Sequence, residues 1–348
     1  MRILFIGGTG NISASVSRLL VERGHELHLL TRGTRGASIP GARMLKADIH
    51  DPTAAASLTA GTAWDAVVNW VAFQQADVER DISVFRGRTR QYVFISSASV
   101  YKKPPPSPFI TESSPLGNPF WEYARHKIAC ELRLNQAFRE EGFPAVIVRP
   151  SHTYNTVLPL AIGGWQDYSI IERLRRGQPV VVHGDGSSLW TLTHAEDFAN
   201  GLAGLLGNGQ TAGHSFHITS DEVLSWNQIY AAVAEAAGVE ARILHMPSEF
   251  IAAREPSLAG TLLGDKTHSV LFDNTKIKTF VPGYRALIPF REGIRRTLAW
   301  FEAAPERRKS TGETDRLLDR LIAAYCPAAA AAPQHGYCRA GHLSQPGS

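Results

Sequence analysis

An apolar run, Arg2–Ile6, enters Gly7-Gly8-Thr9-Gly10-Asn11-Ile12-Ser13 and continues into a helical stretch, Ile12–Arg23, which Gly24 ends. A strand, a glycine turn and a helix in that order constrain the fold strongly, because the helix has to cross back over the sheet before the next parallel strand. The rhythm continues through the first half. Glu26–Leu30, Met44–Ala47, Ala66–Val71, Gln91–Ile95 and Ala145–Val148 read as strands, with a long helical pattern over Phe120–Glu141. Short β-rich runs alternating with amphipathic stretches predict the α/β class and a doubly wound parallel sheet, whose ligands sit at the carboxyl ends of the strands.

After Pro150 the pattern changes. Asp167–Arg176, Ala195–Leu206, Trp226–Ala237, Pro247–Arg254 and Pro289–Glu302 read as helices, and Pro179–His183 and His214–Thr219 as strands. We expect residues 1–157 and 190–222 to form a Rossmann-like dinucleotide-binding domain. Residues 158–189 and 223–305 should form a smaller, discontinuous C-terminal substrate lobe, followed by a terminal helix over 306–325. Residues 326–348, rich in Ala, Gly, Pro and Ser, read as a disordered tail that holds Cys338.

Composition narrows the class. With 44% hydrophobic and 20% charged residues over 348 positions, the chain is not a disordered one. Its longest apolar runs fall far short of the ~18 residues that a membrane span needs. The N-terminus lacks the basic, apolar and small-residue sections of a secretory leader, so a cytoplasmic protein is expected. Cys130, Cys326 and Cys338 have no metal-ligand spacing, and their odd number argues against a disulfide framework. The formal charge of +4 is too small for a nucleic-acid surface, and Arg86, Arg88 and Arg90 read as a solvated helix end. The expected partner is a small-molecule substrate, with neither a membrane nor a nucleic acid.

The glycine turn has a chemical reading. A backbone that turns tightly and aims helix N-terminal amides outward suits a pyrophosphate. Gly7 and Gly10 suit the turn and the close approach, while Asn11 and Ile12 open the helix. Ser13 stands where a third glycine would let helix and strand pack. At the end of the second strand, Leu30-Thr31-Arg32-Gly33-Thr34-Arg35 contains two arginines and no acid. An acid would bind the adenosine ribose and repel a 2′-phosphate, whereas guanidinium groups pair with phosphate. Between NAD and NADP this favours NADP slightly; the alternative is that both arginines face water. Asp48 and Ile49 stand where they would meet the adenine, or form an ordinary loop.

Two further motifs complete the pattern. Ser96-Ser97-Ala98-Ser99-Val100-Tyr101 follows the fifth strand, and Tyr123-Ala124-Arg125-His126-Lys127 lies on the long helix. Together with Gly7-Gly8-Thr9-Gly10, they make the chain resemble the extended short-chain dehydrogenase/reductase family, of the NAD-dependent epimerase/dehydratase type. Residues four apart share a helix face, and a lysine cation beside a phenol lowers its pKa from about 10. Tyr123 then becomes a credible acid or base for an alcohol/ketone pair. The resemblance implies that Ser97 hydrogen-bonds the reacting oxygen, that Lys127 also binds the nicotinamide ribose, and is compatible with a homodimer.

The departures from the family pattern are as informative. Ala98 and Ser99 occupy the place of the Asp-Glu pair of family dehydratases, which removes the usual acid for elimination. Asn69-Trp70-Val71-Ala72-Phe73 replaces the usual His-x-Ala-Ala, and Lys102 with a proline-rich loop follows Tyr101. His152 lies near the position of a diphosphate-binding asparagine, and Trp190 takes the place of a diphosphate-binding arginine. An indole stacks on a sugar or base but supplies no charge. Ser99, His152, Trp190 and Lys266 are the candidate substrate residues, with Lys266, Arg173 or Arg176 as alternative phosphate cations.

The expected function is an NAD(P)-dependent epimerase or oxidoreductase acting on a secondary hydroxyl of a sugar-like substrate through a keto intermediate. That substrate is a nucleotide sugar, a nucleoside or another glycosyl compound. The rival expectation is a catalytically altered member with an RNA-binding role, like the chloroplast RNA-binding proteins of this fold.

Overall fold

The computed structural model describes residues 1–33, 38–51, 53, 61–163 and 165–326. Seven parallel strands form its central sheet: β1 (Arg2–Ile6), β2 (Glu26–Thr31), β3 (Arg43–Lys46), β4 (Ala66–Asn69), β5 (Tyr92–Ile95), β6 (Ala145–Pro150) and β7 (Ser215–Ile218). Their order is β7-β6-β5-β4-β1-β2-β3, and each neighbouring pair is parallel. The order reverses between β1 and β4, which opens a crevice at their carboxyl ends.

The apolar runs are continuous because both faces of the sheet are covered. Ile3 and Phe5 pack with Val16 and Leu20 of α1 (Ser13–Glu22) and with the Ala195–Leu205 helix. Leu4 and Ile6 point the other way, into a core shared with Val78 and Ile82 of α2 (Gln75–Phe85) and Leu134 of α3 (Glu122–Glu141). A further core gathers Tyr101, Tyr154, Ile171, Val181, Trp190, Trp226 and Leu321. The Glu313–Tyr325 helix closes it, held by Arg173, which ion-pairs with Asp315 and Asp319 at 3.2 and 2.7 Å.

Two sequence expectations need adjustment. The strand expected over Ala66–Val71 stops at Asn69, where the Asn69 side chain accepts a hydrogen bond from the Val71 N–H at 2.8 Å and turns the chain. Arg173 and Arg176, considered as phosphate cations, are instead committed to Asp315 and Asp319 of the terminal helix.

A buried ion pair fixes β6 to α3, and Ser96, just after β5, joins it. Glu131 and Arg149 are almost fully buried and meet at 2.6 Å, and the Ser96 hydroxyl donates to Glu131 Oε1 at 2.6 Å. Arg149 also donates to the Tyr101 hydroxyl at 3.1 Å. Removing one partner of such a pair strands the other charge in a low-dielectric interior. Glu131→Ala should therefore lower the unfolding free energy by about 3–5 kcal/mol, read by urea denaturation. A loss below about 1 kcal/mol would show that Arg149 finds other partners.

Candidate active site

The turn after β1 is built on Gly7 and Gly8. Both adopt positive φ, +96° and +107°, a region that favours glycine. A Cβ on Gly8 would sit 2.7 Å from Leu29 Cδ2, and one on Gly7 would sit 3.2 Å from Trp70 Cβ. Gly8 thus lets the turn pack closely on Leu29 and Phe5. Gly10 donates its N–H to Ser13 Oγ at 2.9 Å, and the Ser17 hydroxyl donates to the Gly8 carbonyl at 2.8 Å. The bare backbone at the start of α1, beside the crevice, suits a pyrophosphate.

Asn11 ties this turn to the segment after β6. Its amide donates to the Thr153 carbonyl at 3.1 Å, and its carbonyl oxygen accepts the N–H groups of Asn155 and Thr156. That leaves the main chain of Asn11 and Ile12, rather than the Asn11 side chain, to face a ligand. Ile49 is buried in the α2–α3 core, and Asp48 accepts the His50 N–H at 3.0 Å in a local turn. Arg32 is exposed at the end of β2, where Lys46 packs its methylenes over Gly33. Arg35 lies outside the described residues.

At the β4 end, Asn69 is fixed from below. Its amide hydrogen-bonds Asp81, which also accepts the Tyr92 hydroxyl at 2.6 Å. The turn presents the Ala72 carbonyl to Lys127, whose ammonium donates to Ala72 O at 2.6 Å and to Ile95 O at 2.8 Å. The Phe73 and Phe94 rings lie 4.6 and 4.8 Å from the same nitrogen. A groove of about 710 Å³ opens beside Phe73, lined also by His50, Gln74, Asp77 and Arg80.

The catalytic candidates meet above this turn. Ser97 caps a short helical turn, and its Oγ accepts from Ser99 N and from Ser99 Oγ at 3.2 and 2.9 Å. Ser99 therefore orients Ser97. The Ser97 hydroxyl lies close enough to the Tyr123 phenol to act on its ionisation. Lys127 stands one turn along α3, its ammonium 5.8 Å from the Tyr123 ring centre.

The proton chemistry differs from the expected pattern. Burial pushes the Tyr123 phenol up to about 12, opposed by the nearby Ser97 hydroxyl and reinforced by Asp265. Burial also pulls the Lys127 ammonium down to about 8. The lysine spends its charge on two carbonyls, so it does not bring the phenol into the neutral range by itself, and Tyr123 carries its proton at pH 7.

The four substrate candidates fall in two places. Ser99 belongs to the serine turn, whereas His152, Trp190 and Lys266 pack together. His152 stacks on Trp165 at 5.0 Å and meets Trp226 edge-on. Burial, aided by Lys266, holds His152 well below the usual imidazole range and hence neutral at pH 7. Trp190 is buried against Trp226, with Lys103 and Lys266 placed 5.4 and 5.9 Å from its ring. Lys266, considered in the sequence as an alternative phosphate cation, and Lys103 thus stand beside Trp190. The sequence reading missed Lys103, Gly8 and the Asn69–Asp81 pair. Only Gly8 carried a sequence signal, as the middle glycine of the turn.

Comparison with known proteins places this geometry. The model of the NAD-dependent epimerase/dehydratase family matches residues 3–219, and the chain belongs to that family of extended short-chain dehydrogenase/reductase enzymes. It is 28% identical over 286 residues to a 2'-dehydrokanamycin reductase of Streptomyces kanamyceticus, covering 82% of this chain and 80% of the reductase. It is 27% identical over 265 residues to the chloroplast stem-loop binding protein of 41 kDa b of Arabidopsis thaliana, covering 72% and 67%. In fold it resembles the epimerase Mth375 of Methanothermobacter thermautotrophicus, with a TM-score of 0.71 at 19% identity, over 87% of this chain and 93% of that one. Among the described residues no cluster suits a metal ion, and no helix is long and apolar enough to cross a membrane.

The Lys127 environment makes a stability prediction. In the unfolded chain this lysine keeps its proton to about 10.5, and in the folded chain it loses it near 8. Between those values the unfolded state binds more protons, so stability rises with pH, by at most about 1.4 kcal/mol per unit from this group. Below pH 8 the cost of the buried ammonium is fully present. Lys127→Met should flatten the rise between pH 8 and 10 in denaturation experiments; an unchanged slope would contradict the assignment.

Proposed function

We propose that this family member reduces a ketone, or interconverts a carbinol through a ketone, at a secondary position of a sugar-like substrate, with NADP preferred to NAD. The observation that carries the reading is the convergence of Ser97, Tyr123 and Lys127: the Ser97 hydroxyl acts on the Tyr123 phenol, and the Lys127 ammonium lies 5.8 Å from the tyrosine ring centre. When bound, the nicotinamide supplies or accepts a hydride. Every other task falls to the chain.

Ser97, held by Ser99, hydrogen-bonds the reacting oxygen. Tyr123 carries its proton at neutral pH, so it acts as the acid that delivers the proton to a carbonyl oxygen on reduction, and takes it back on oxidation. Lys127 fixes the ends of β4 and β5 and supplies positive charge beneath the phenol. Ala98 and Ser99 stand where dehydratases carry acids, which favours reduction or epimerisation over elimination. The similarity to a reductase agrees in direction.

The similarity to a chloroplast stem-loop binding protein supports a second reading, RNA binding. Against it, Arg86 is paired with Glu141 and Arg90 with Asp65, so the tightest basic cluster is partly neutralised. Retention of Ser97, Tyr123 and Lys127 also favours the enzyme.

Tyr123→Phe should lower kcat for carbonyl reduction at least ~100-fold while dinucleotide binding, followed by calorimetry, persists. Undiminished turnover would remove the phenol from the mechanism. Arg32 and Lys46 stand together at the carboxyl ends of β2 and β3, the edge that would meet the adenosine ribose. Replacing both by Ala should weaken NADP roughly 10- to 150-fold more than NAD, as expected for charge-assisted contacts. Equal losses for the two dinucleotides would show that this edge does not discriminate.

A further inference from the structure

A second cluster of charge lies behind the catalytic tyrosine. Lys103 is 3% exposed, Lys266 6% and Asp265 7%. Asp265 stands between the two ammonium groups, 3.3 Å from Lys266 Nζ and 3.8 Å from Lys103 Nζ. Asp265 Oδ1 has no hydrogen-bond partner among the described residues, and neither do His152 Nε2 and Trp190 Nε1. Buried charges are ordinarily paired, because an unpaired one is expensive to desolvate. Here two cations share one carboxylate. The neighbouring imidazoles do not change the sum: burial holds His152, His183 and His268 below their usual range, and Glu249 near His268 is exposed. Burial and Lys266 lower Lys103 from the usual lysine range, opposed by Asp265; with both lysines protonated the cluster carries a net charge of +1.

The backbone holds this charge in place. The Lys266 carbonyl accepts hydrogen bonds from the Trp226 indole, the Ser188 hydroxyl and the His183 ring. Asn118 joins the cluster to the reaction centre, donating to Gly264 O at 2.7 Å and Ser99 O at 2.9 Å, and accepting the Trp121 N–H two residues before Tyr123. Asp265 is close enough to Tyr123 to act on its phenol.

We propose that Lys103, Asp265 and Lys266 form a subsite for one carboxylate carried by the substrate, on or next to the sugar ring that Tyr123 serves. The inference rests on the glycosyl reading above and narrows it to glycosyl acids. Net charge selects the ligand. A single carboxylate balances the surplus of one, a diphosphate overshoots it, and a polyamino sugar of the aminoglycoside type meets two buried lysines with the same sign. Trp190 is buried against both ammonium groups and walls the subsite on one side. The carboxylate would take the weakly held Lys103 first, since its pairing with Asp265 is the longer one.

The test is calorimetric titration of the NADP-loaded full chain with methyl glucuronide and methyl galacturonide, each against its neutral methyl hexoside, at two salt concentrations. Glucose 1-phosphate, UDP-glucose and kanamycin form the comparison arms. The expected result is at least a ~10-fold preference for a uronide over its neutral partner, lost in Lys103→Met and kept in Lys103→Arg. Lys266→Gln, reading the same ratio, serves if Lys103→Met fails to fold. A uronide bound no better than its hexoside, a preference that survives both neutral variants, or tighter binding of the phosphate, the diphosphate or the polyamine would each overturn the proposal. Hydride transfer to substrates without any carboxylate preference would sink this inference and leave the parent reading. Uronide preference without hydride transfer would do the reverse.

Discussion

The Lys127 ammonium holds the crevice together. It donates to Ala72 O, just beyond β4, and to Ile95 O, the last residue of β5, and so joins two strand ends on which the glycine turn and the serine turn depend. Burying an ammonium is costly, and two short hydrogen bonds with two aromatic faces offset that cost. The arrangement needs Ala72 in the right place, which is why Asn69 and Asp81 matter although neither faces the cleft. A helix position thereby fixes a loop, and that loop borders the tyrosine.

The same burial sets the proton chemistry. A phenol near 12 and an ammonium near 8 are the reverse of a pair that shares charge freely. As folded, burial keeps the proton on Tyr123 at neutral pH, the state that the proposed carbonyl reduction requires. Beside Tyr123 stand two lysines and one aspartate, so the proposed substrate side differs in character from the proposed cofactor side. One half presents backbone and glycine; the other presents tryptophans, neutral imidazoles and a surplus of positive charge.

The sheet was legible in the sequence because strands covered on both faces read as unbroken apolar runs, and Arg2–Ile6, Tyr92–Ile95 and Ala145–Pro150 are of that kind. The Tyr123–Lys127 spacing was legible because four residues make one helical turn. Burial was not. Sequence spacing promised a lysine that acidifies the tyrosine, whereas the fold turns the ammonium toward two carbonyls. Lys103 and Lys266 meet across long stretches of chain, and no local pattern marks that contact. Trp190 illustrates the consequence: read alone it removes a charge from the proposed substrate side, and read with its neighbours it lies against two. Asn11 shows the same effect, its side chain being spent on Thr153, Asn155 and Thr156.

The central claim is that Ser97, Tyr123 and Lys127 form a centre for hydride exchange at a secondary carbon. The most direct measurement supplies dinucleotide deuterated at the nicotinamide C4, with a panel of keto-glycosides, and follows the label by NMR and mass spectrometry. The account predicts deuterium on the new carbinol carbon, transferred to one face only. Bound dinucleotide with no label reaching any ketone in the panel, while RNA binds tightly and with steep salt dependence, would contradict it.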